Sequence, residues 1–138
     1  MPLDYDSIHE GDDLPAIERR TTRLGIIQFM AASWMWSEQF FYDADVAVAM
    51  GLEGPIIPGP YKHAILQQYL VCWLGRLNGI RRLQVSHRRT DQHEGVLTLG
   101  GAITRKYEDE GHQFADLELF IDQESGERSV RASATVEF

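Results

Sequence analysis

The sequence predicts an α+β domain in which an antiparallel sheet of about five strands wraps around one long central helix. Three observations predict it. Up to residue 79 the apolar residues recur near helical spacing, with the widest apolar face over 60–77. Beyond Gly79 the period changes to two and stays there to Phe138. Finally, 138 residues at 43% hydrophobic and 25% charged fit one globular domain of ordinary size. The reading places a single domain over 1–138, with 1–13 as an N-terminal arm.

Each element follows from local chemistry. The arm is acidic and aperiodic through Gly11-Asp12-Asp13, and Leu14 to Arg20 then makes a short strand. Thr21-Thr22 offers an N-cap to a helix over 22–36, where Leu24, Ile27, Phe29, Met30 and Trp34 fall near helical spacing. Ala44 to Met50 is a shorter helix, with Asp43 at the cap position and Gly51 as its C-terminal glycine. The run Gly54-Pro55-Ile56-Ile57-Pro58-Gly59-Pro60 cannot be regular, because its prolines restrict the residues before them. Pro60 suits the first turn of a helix, where its missing N–H costs nothing. Ile65, Leu66, Tyr69, Leu70, Trp73, Leu74 and Leu77 then give a long buried helix, ended near Asn78-Gly79. Cys72 falls mid-helix and reads as a small core side chain with no base beside it.

Strands follow over 80–89, 96–106, 114–122 and 128–138, with hairpin connections at Glu108 to Gly111 and Glu124 to Gly126. The alternation is cleanest in the last two. Ala115, Leu117, Leu119 and Ile121 share one face, and Val130, Ala132, Ala134, Val136 and Phe138 share another. A sheet curled round one hydrophobic helix is the hot-dog arrangement. It leaves open sheet edges, so pairing of two chains is expected.

Composition removes several function classes. The 13 basic residues against 21 acidic ones give a net charge of -8, which argues against a nucleic-acid partner. One cysteine excludes an internal disulfide and any multi-cysteine metal site. No apolar run approaches the ~20 residues that span a bilayer, and Met1-Pro2-Leu3-Asp4 is unlike a signal peptide. A cytoplasmic protein is expected. Neither a metal nor another cofactor is implied, and His87 and His93 read as isolated histidines.

The segment from Phe41-Tyr42-Asp43 through Gly54-Pro55-Ile56-Ile57-Pro58-Gly59 resembles the core of MaoC-like dehydratases, the (R)-specific enoyl-CoA hydratases. That family carries an Asp, an Asn-Pro, a His and an HxDxxxAxxxG stretch. A GPI and the glycine that opens the central helix come next. Phe29-Met30-Ala31-Ala32-Ser33 and Leu83-Gln84-Val85-Ser86-His87-Arg88-Arg89 resemble flanking pieces, so the likeness spans about 14–138. With Asp43 and Gly59 held in register, the family's catalytic Asp falls on Trp36 and its catalytic His on Phe41. Its Asn and Pro fall on Glu38 and Gln39, and Pro58 replaces a His. Trp and Phe exchange no proton near neutrality, so the usual acid–base chemistry cannot run on these positions.

Gly59 persists, and in the family the N–H of this glycine polarises the thioester carbonyl. The resemblance therefore implies an acyl thioester ligand, carried on CoA or an acyl-carrier protein. Certain relatives, among them mycobacterial hydroxyacyl-carrier-protein dehydratases and steroid-degrading hydratases, divide labour between two hot-dog chains. It implies either a heterodimer with a dyad-bearing chain or a homodimer with relocated groups. Trp34, Trp36, Phe40 and Phe41 are candidates to line an acyl or steroid pocket, with core or dimer packing as the competing assignment. Glu38 and His63 are candidates for a displaced acid–base pair, with Tyr42 a further partner for His63. Tyr61 and Lys62 would frame the pocket mouth. Arg81-Arg82 and Arg88-Arg89 would meet CoA phosphates or stand as solvated strand ends. A binding protein without turnover, holding a hydrophobic ligand, is the third possibility.

Overall fold

The computed structural model describes all residues, 1–138. Its elements run β1 (Asp13–Thr21), α1 (Arg23–Ala32), α2 (Ala44–Ala49), α3 (Gly59–Leu74), β2 (Ile80–His87), β3 (Gly95–Asp109), β4 (His112–Gln123) and β5 (Arg128–Glu137). Single helical turns at Tyr5–Ser7 and Gln39–Phe41 complete the chain. The five strands form one sheet in the order β1-β3-β4-β5-β2, and every neighbouring pair is antiparallel. The predicted α+β class and hot-dog layout hold.

Alternation decides which face of the sheet meets α3. Leu97, Leu99 and Ile103 of β3, Leu117, Leu119 and Ile121 of β4, and Val130, Ala134 and Val136 of β5 are buried. Against them lie Ile65, Leu66, Tyr69, Leu70 and Leu74 of α3, one stripe at spacings of three and four. Tyr69 is anchored at its polar tip, where its hydroxyl donates to the Pro15 carbonyl at 2.9 Å. Burial pushes that phenol up to about 12.

The caps work as the sequence indicates. Thr22 accepts from the Gly25 N–H at 3.1 Å, and Asp43 accepts from Asp45 and Val46 at 2.9 and 3.1 Å. Two helix ends differ from expectation. α1 stops at Ala32 rather than 36, and Trp34 takes a left-handed φ of 56° that places it outside the helix. α3 stops at Leu74 because Gly75, at φ 67°, turns the chain out of the helix. Leu77 consequently leaves the apolar stripe and is 86% exposed. Cys72 is also exposed. Leu70 and Leu74 hold the buried face on either side of it, and position 72 lies half a turn away.

The arm is fastened to the body. Leu3 N–H donates to the Leu74 carbonyl at 2.9 Å, Ile8 is buried, and Lys106 Nζ donates to the Tyr5 and Ile8 carbonyls at 2.8 and 2.7 Å. No helix is long and apolar enough to cross a membrane.

Candidate active site

The proline-rich run before α3 is stitched to the connection between β2 and β3. Ile57 N–H donates to the Asp91 carbonyl at 2.8 Å, and Ile56 bridges Gln92. Below this seam lies a buried polar knot. Lys62 Nζ meets Asp91 Oδ2 at 2.7 Å and donates to the Arg89 carbonyl at 3.0 Å. Gln123 donates to the other Asp91 oxygen at 2.8 Å and to the Thr90 carbonyl at 2.8 Å. Lys62 is therefore not at a pocket mouth. It is an internal strut, 2% exposed, whose charge is satisfied at the start of α3.

Held this way, α3 presents its first turn to an open cleft of about 390 Å³ lined by Gly59, Pro60, His63, Ala64, Gln67 and His87. Pro58 occupies the cap position and supplies no side-chain bond. The Gly59 N–H has no backbone partner. Within the first turn Pro60 has no N–H, and the Tyr61 and Lys62 N–H groups donate to the Pro58 carbonyl at 3.0 and 3.4 Å, so Gly59 alone keeps a free donor at the positive end of the sixteen-residue helix. His87, the last residue of β2, lays its ring against Gly59, so a Cβ there would stand 2.9 Å from Nε2. Burial lowers the His87 pKa, the Lys62 and His63 charges lower it further, and Asp91 opposes them.

Of the sequence candidates, the structure brings Gly59 and His63 into one cleft and adds His87. His87 is not isolated, and its signal was in the strand: Leu83, Val85 and His87 share one face at period two, with Leu83 and Val85 on the core. Glu38 is exposed and outside the cleft lining. Tyr61 packs edge-on against Phe29 with ring centroids 5.3 Å apart. Trp36, Phe41 and Tyr42 form a separate aromatic loop. Tyr42 donates to the Trp36 carbonyl at 3.1 Å, its ring meets Trp36 edge-on at 5.8 Å, and Phe40 and Phe41 are 4.3 Å apart. Phe41 and Tyr42 pack against the core, whereas Trp34 is 86% exposed.

His93 is a buried neighbour of this loop. Its Nε2–H donates to the Ile56 carbonyl at 3.2 Å, while its buried Nδ1 has no partner. Burial lowers its pKa, and the Phe41 and Ile56 carbonyls draw it partly back. No three His, Cys, Asp or Glu side chains converge to hold a metal.

No protein-family model and no curated protein sequence matches this chain. Solved structures do. An (R)-hydratase from A. caviae involved in PHA biosynthesis superposes at a TM-score of 0.85 and 20% identity, covering 96% of this chain and 98% of that one. The ChsH1-ChsH2 complex from Mycobacterium tuberculosis gives 0.82 and 18%, covering 94% and 98%. A truncated HadBC (3R-hydroxyacyl-ACP dehydratase) complex from the same organism gives 0.77 and 12%, covering the whole of both chains. At these identities the likeness establishes the fold: this chain has the hot-dog architecture of MaoC-like dehydratases.

Proposed function

We propose that this chain is an acyl-thioester-binding subunit of an enoyl-thioester hydratase or dehydratase, working beside a second hot-dog chain that carries the Asp-His pair. The observation that carries the reading is the unpartnered N–H of Gly59, a residue that lines a cleft with no carboxylate in its lining. In hydration, a base takes a proton from water as the water oxygen bonds to C3, and the electron pair moves onto the thioester oxygen. An acid then delivers a proton to C2, and the oxygen returns its charge to the carbonyl. Gly59 suits the middle of this sequence, because a helix N-terminus aims an oriented donor where negative charge develops. The partner suits the proton transfers, since the resemblance places Trp36 and Phe41 at the dyad positions. That the ChsH1-ChsH2 and HadBC structures are complexes supports a division of labour.

A second reading is favoured by His63 and His87 on the same cleft. Two imidazoles on one cleft offer a proton acceptor and a proton donor side by side, so a homodimeric lyase or isomerase would use them rather than Glu38. The test is loss of enoyl absorbance from crotonyl-CoA. We expect none from the purified chain and turnover when a dyad-bearing partner, captured by co-purification from the native host, is added. Turnover by the chain alone, abolished in His63→Ala, would replace the first reading with the second.

A further inference from the structure

One residue grips the chain on both sides of Gly59. The Asp91 backbone carbonyl accepts from the Ile57 N–H at 2.8 Å, two positions before Gly59. Its carboxylate takes Lys62 Nζ at 2.7 Å, three positions after Gly59. Between these anchors the backbone has little freedom, because Pro58 and Pro60 fix φ on either side of the glycine. The clamp is itself braced. Gln123 donates to the second Asp91 oxygen at 2.8 Å, and Lys62 Nζ also donates to the Arg89 carbonyl at 3.0 Å.

Stability alone is a poor account of this arrangement. Both side chains are 3% exposed, and desolvating two charges costs about what their attraction returns. Apolar residues of similar volume would secure the helix as well. A charge-assisted bond supplies something they do not, a fixed length and direction. It also supplies a dipole, and the dipole is oriented. At His87, whose ring rests on Gly59, the Lys62 charge acts more strongly than the opposing Asp91 charge. The positive end of the pair therefore faces the cleft.

We propose that Lys62 and Asp91 are positioning residues, which hold the Gly59 N–H against a thioester oxygen and set a positive potential behind it. This rests on the acyl-thioester reading of the Gly59 cleft. An oriented donor stabilises developing charge only while it stays in line, and a displacement of about 1 Å forfeits much of the gain. Gly59 has no side chain with which to anchor itself. Its place is set by the residues that clamp its neighbours.

The experiment reads the donor directly, through the infrared carbonyl stretch of crotonyl-pantetheine carrying carbon-13 at the thioester carbon. A hydrogen bond to the carbonyl oxygen lowers that frequency. Bound to the purified wild-type chain, the probe is expected to show a downshift relative to the free thioester. Lys62→Met/Asp91→Leu is expected to lose the downshift and to bind about three- to tenfold more weakly, the size of one lost hydrogen bond. Its urea midpoint stays near that of wild type, which separates positioning from folding. The His87 pKa, followed by NMR, rises in this variant, because the stronger of the two opposed charges is gone. Gln123→Leu keeps the ion pair and removes only the brace on Asp91, so it gives a partial loss of the downshift. A full downshift in the folded double variant overturns the proposal, and the pair then serves the helix alone. Should that variant not fold, a full downshift in Gln123→Leu overturns it equally. The underlying reading fails separately, when wild type binds the probe without a downshift or does not bind it at all, and the proposal falls with it.

Discussion

Gly59 carries two demands at once. Its N–H is free for a ligand, and its α-carbon is crowded by an imidazole. An alanine there would place Cβ 2.9 Å from His87 Nε2 and 3.3 Å from two ring carbons, so the ring must swing aside. His87 is a side-chain end with solvent beside it, and the swing is cheap. We expect Gly59→Ala to cost about 1 kcal/mol and Gly59→Val to cost more, as extra methyls enter an occupied space. In His87→Ala the Gly59→Ala substitution should become nearly neutral, a coupling of roughly 0.5–1 kcal/mol in thermal melts. Additive effects would mean that the ring does not rest on Gly59. For the same reason Gly59→Val is a poor probe of ligand binding alone, and it should be read against the His87→Ala background.

His93 sets a pH dependence of stability. It is 6% exposed and its folded pKa lies below the ordinary 6.5, with burial the largest cause. As pH falls below 6.5 the unfolded chain takes up the proton first, so stability declines until the lowered folded value is passed, and then levels. Glu94 and the two carbonyls narrow this window, and Arg23 widens it. His93→Gln keeps a donor for Ile56 and cannot titrate. Its melting temperature should fall less than wild type's between pH 7 and 5. Equal slopes would assign the acid sensitivity to other groups.

At the scale of elements, the Lys62–Asp91 pair ties the start of α3 to the β2–β3 connection and, through Gln123, to the end of β4. Both side chains are 3% exposed. Removing one partner leaves the other charge buried and unpaired, so Lys62→Met should destabilise by about 3–5 kcal/mol. Lys62→Met/Asp91→Leu should recover most of that loss, measured by urea unfolding. A double variant no better than the single would show that the Gln123 and backbone bonds to this knot matter more than the charge pair.

This knot also marks where the sequence stops being legible. The helix starts could be read, because Thr22, Asp43 and Pro60 act on neighbours within one turn. The long strands could be read from alternation, which is local too. Lys62 and Asp91 lie 29 positions apart, and nothing local distinguishes them from surface charges. The end of α3 was misplaced because Leu77 continues the apolar spacing, while the left-handed Gly75 had already turned the chain. His63 and Gly59 were readable as neighbours on one turn, but His87 joins them only after β2 returns alongside α3. Glu38 has suitable chemistry and a suitable place in a motif, neither of which brings it to the cleft, and it stays exposed outside the lining.

At the scale of the whole molecule, the sheet edges and the exposed apolar side chains govern assembly. The sheet order ends in β1 on one side and β2 on the other, so each edge offers a row of unpaired backbone groups. Ile80–His87 is an eight-residue edge with alternating exposure, long enough to pair with a copy of itself or with a related chain. Near α1 and α2, Leu24, Trp34, Trp36, Val48 and Met50 are all between 41% and 86% exposed, apolar side chains that a partner surface would cover. Net charge works the other way, because two chains at -8 repel each other. These terms predict a dimer that tightens as salt screens the repulsion. Light scattering at micromolar concentration should give a mass near twice 15.7 kDa, rising toward that value between low and moderate salt. A soluble monomer at every salt concentration, with no partner needed, would remove the dimer and with it the expectation that a second hot-dog chain completes the site.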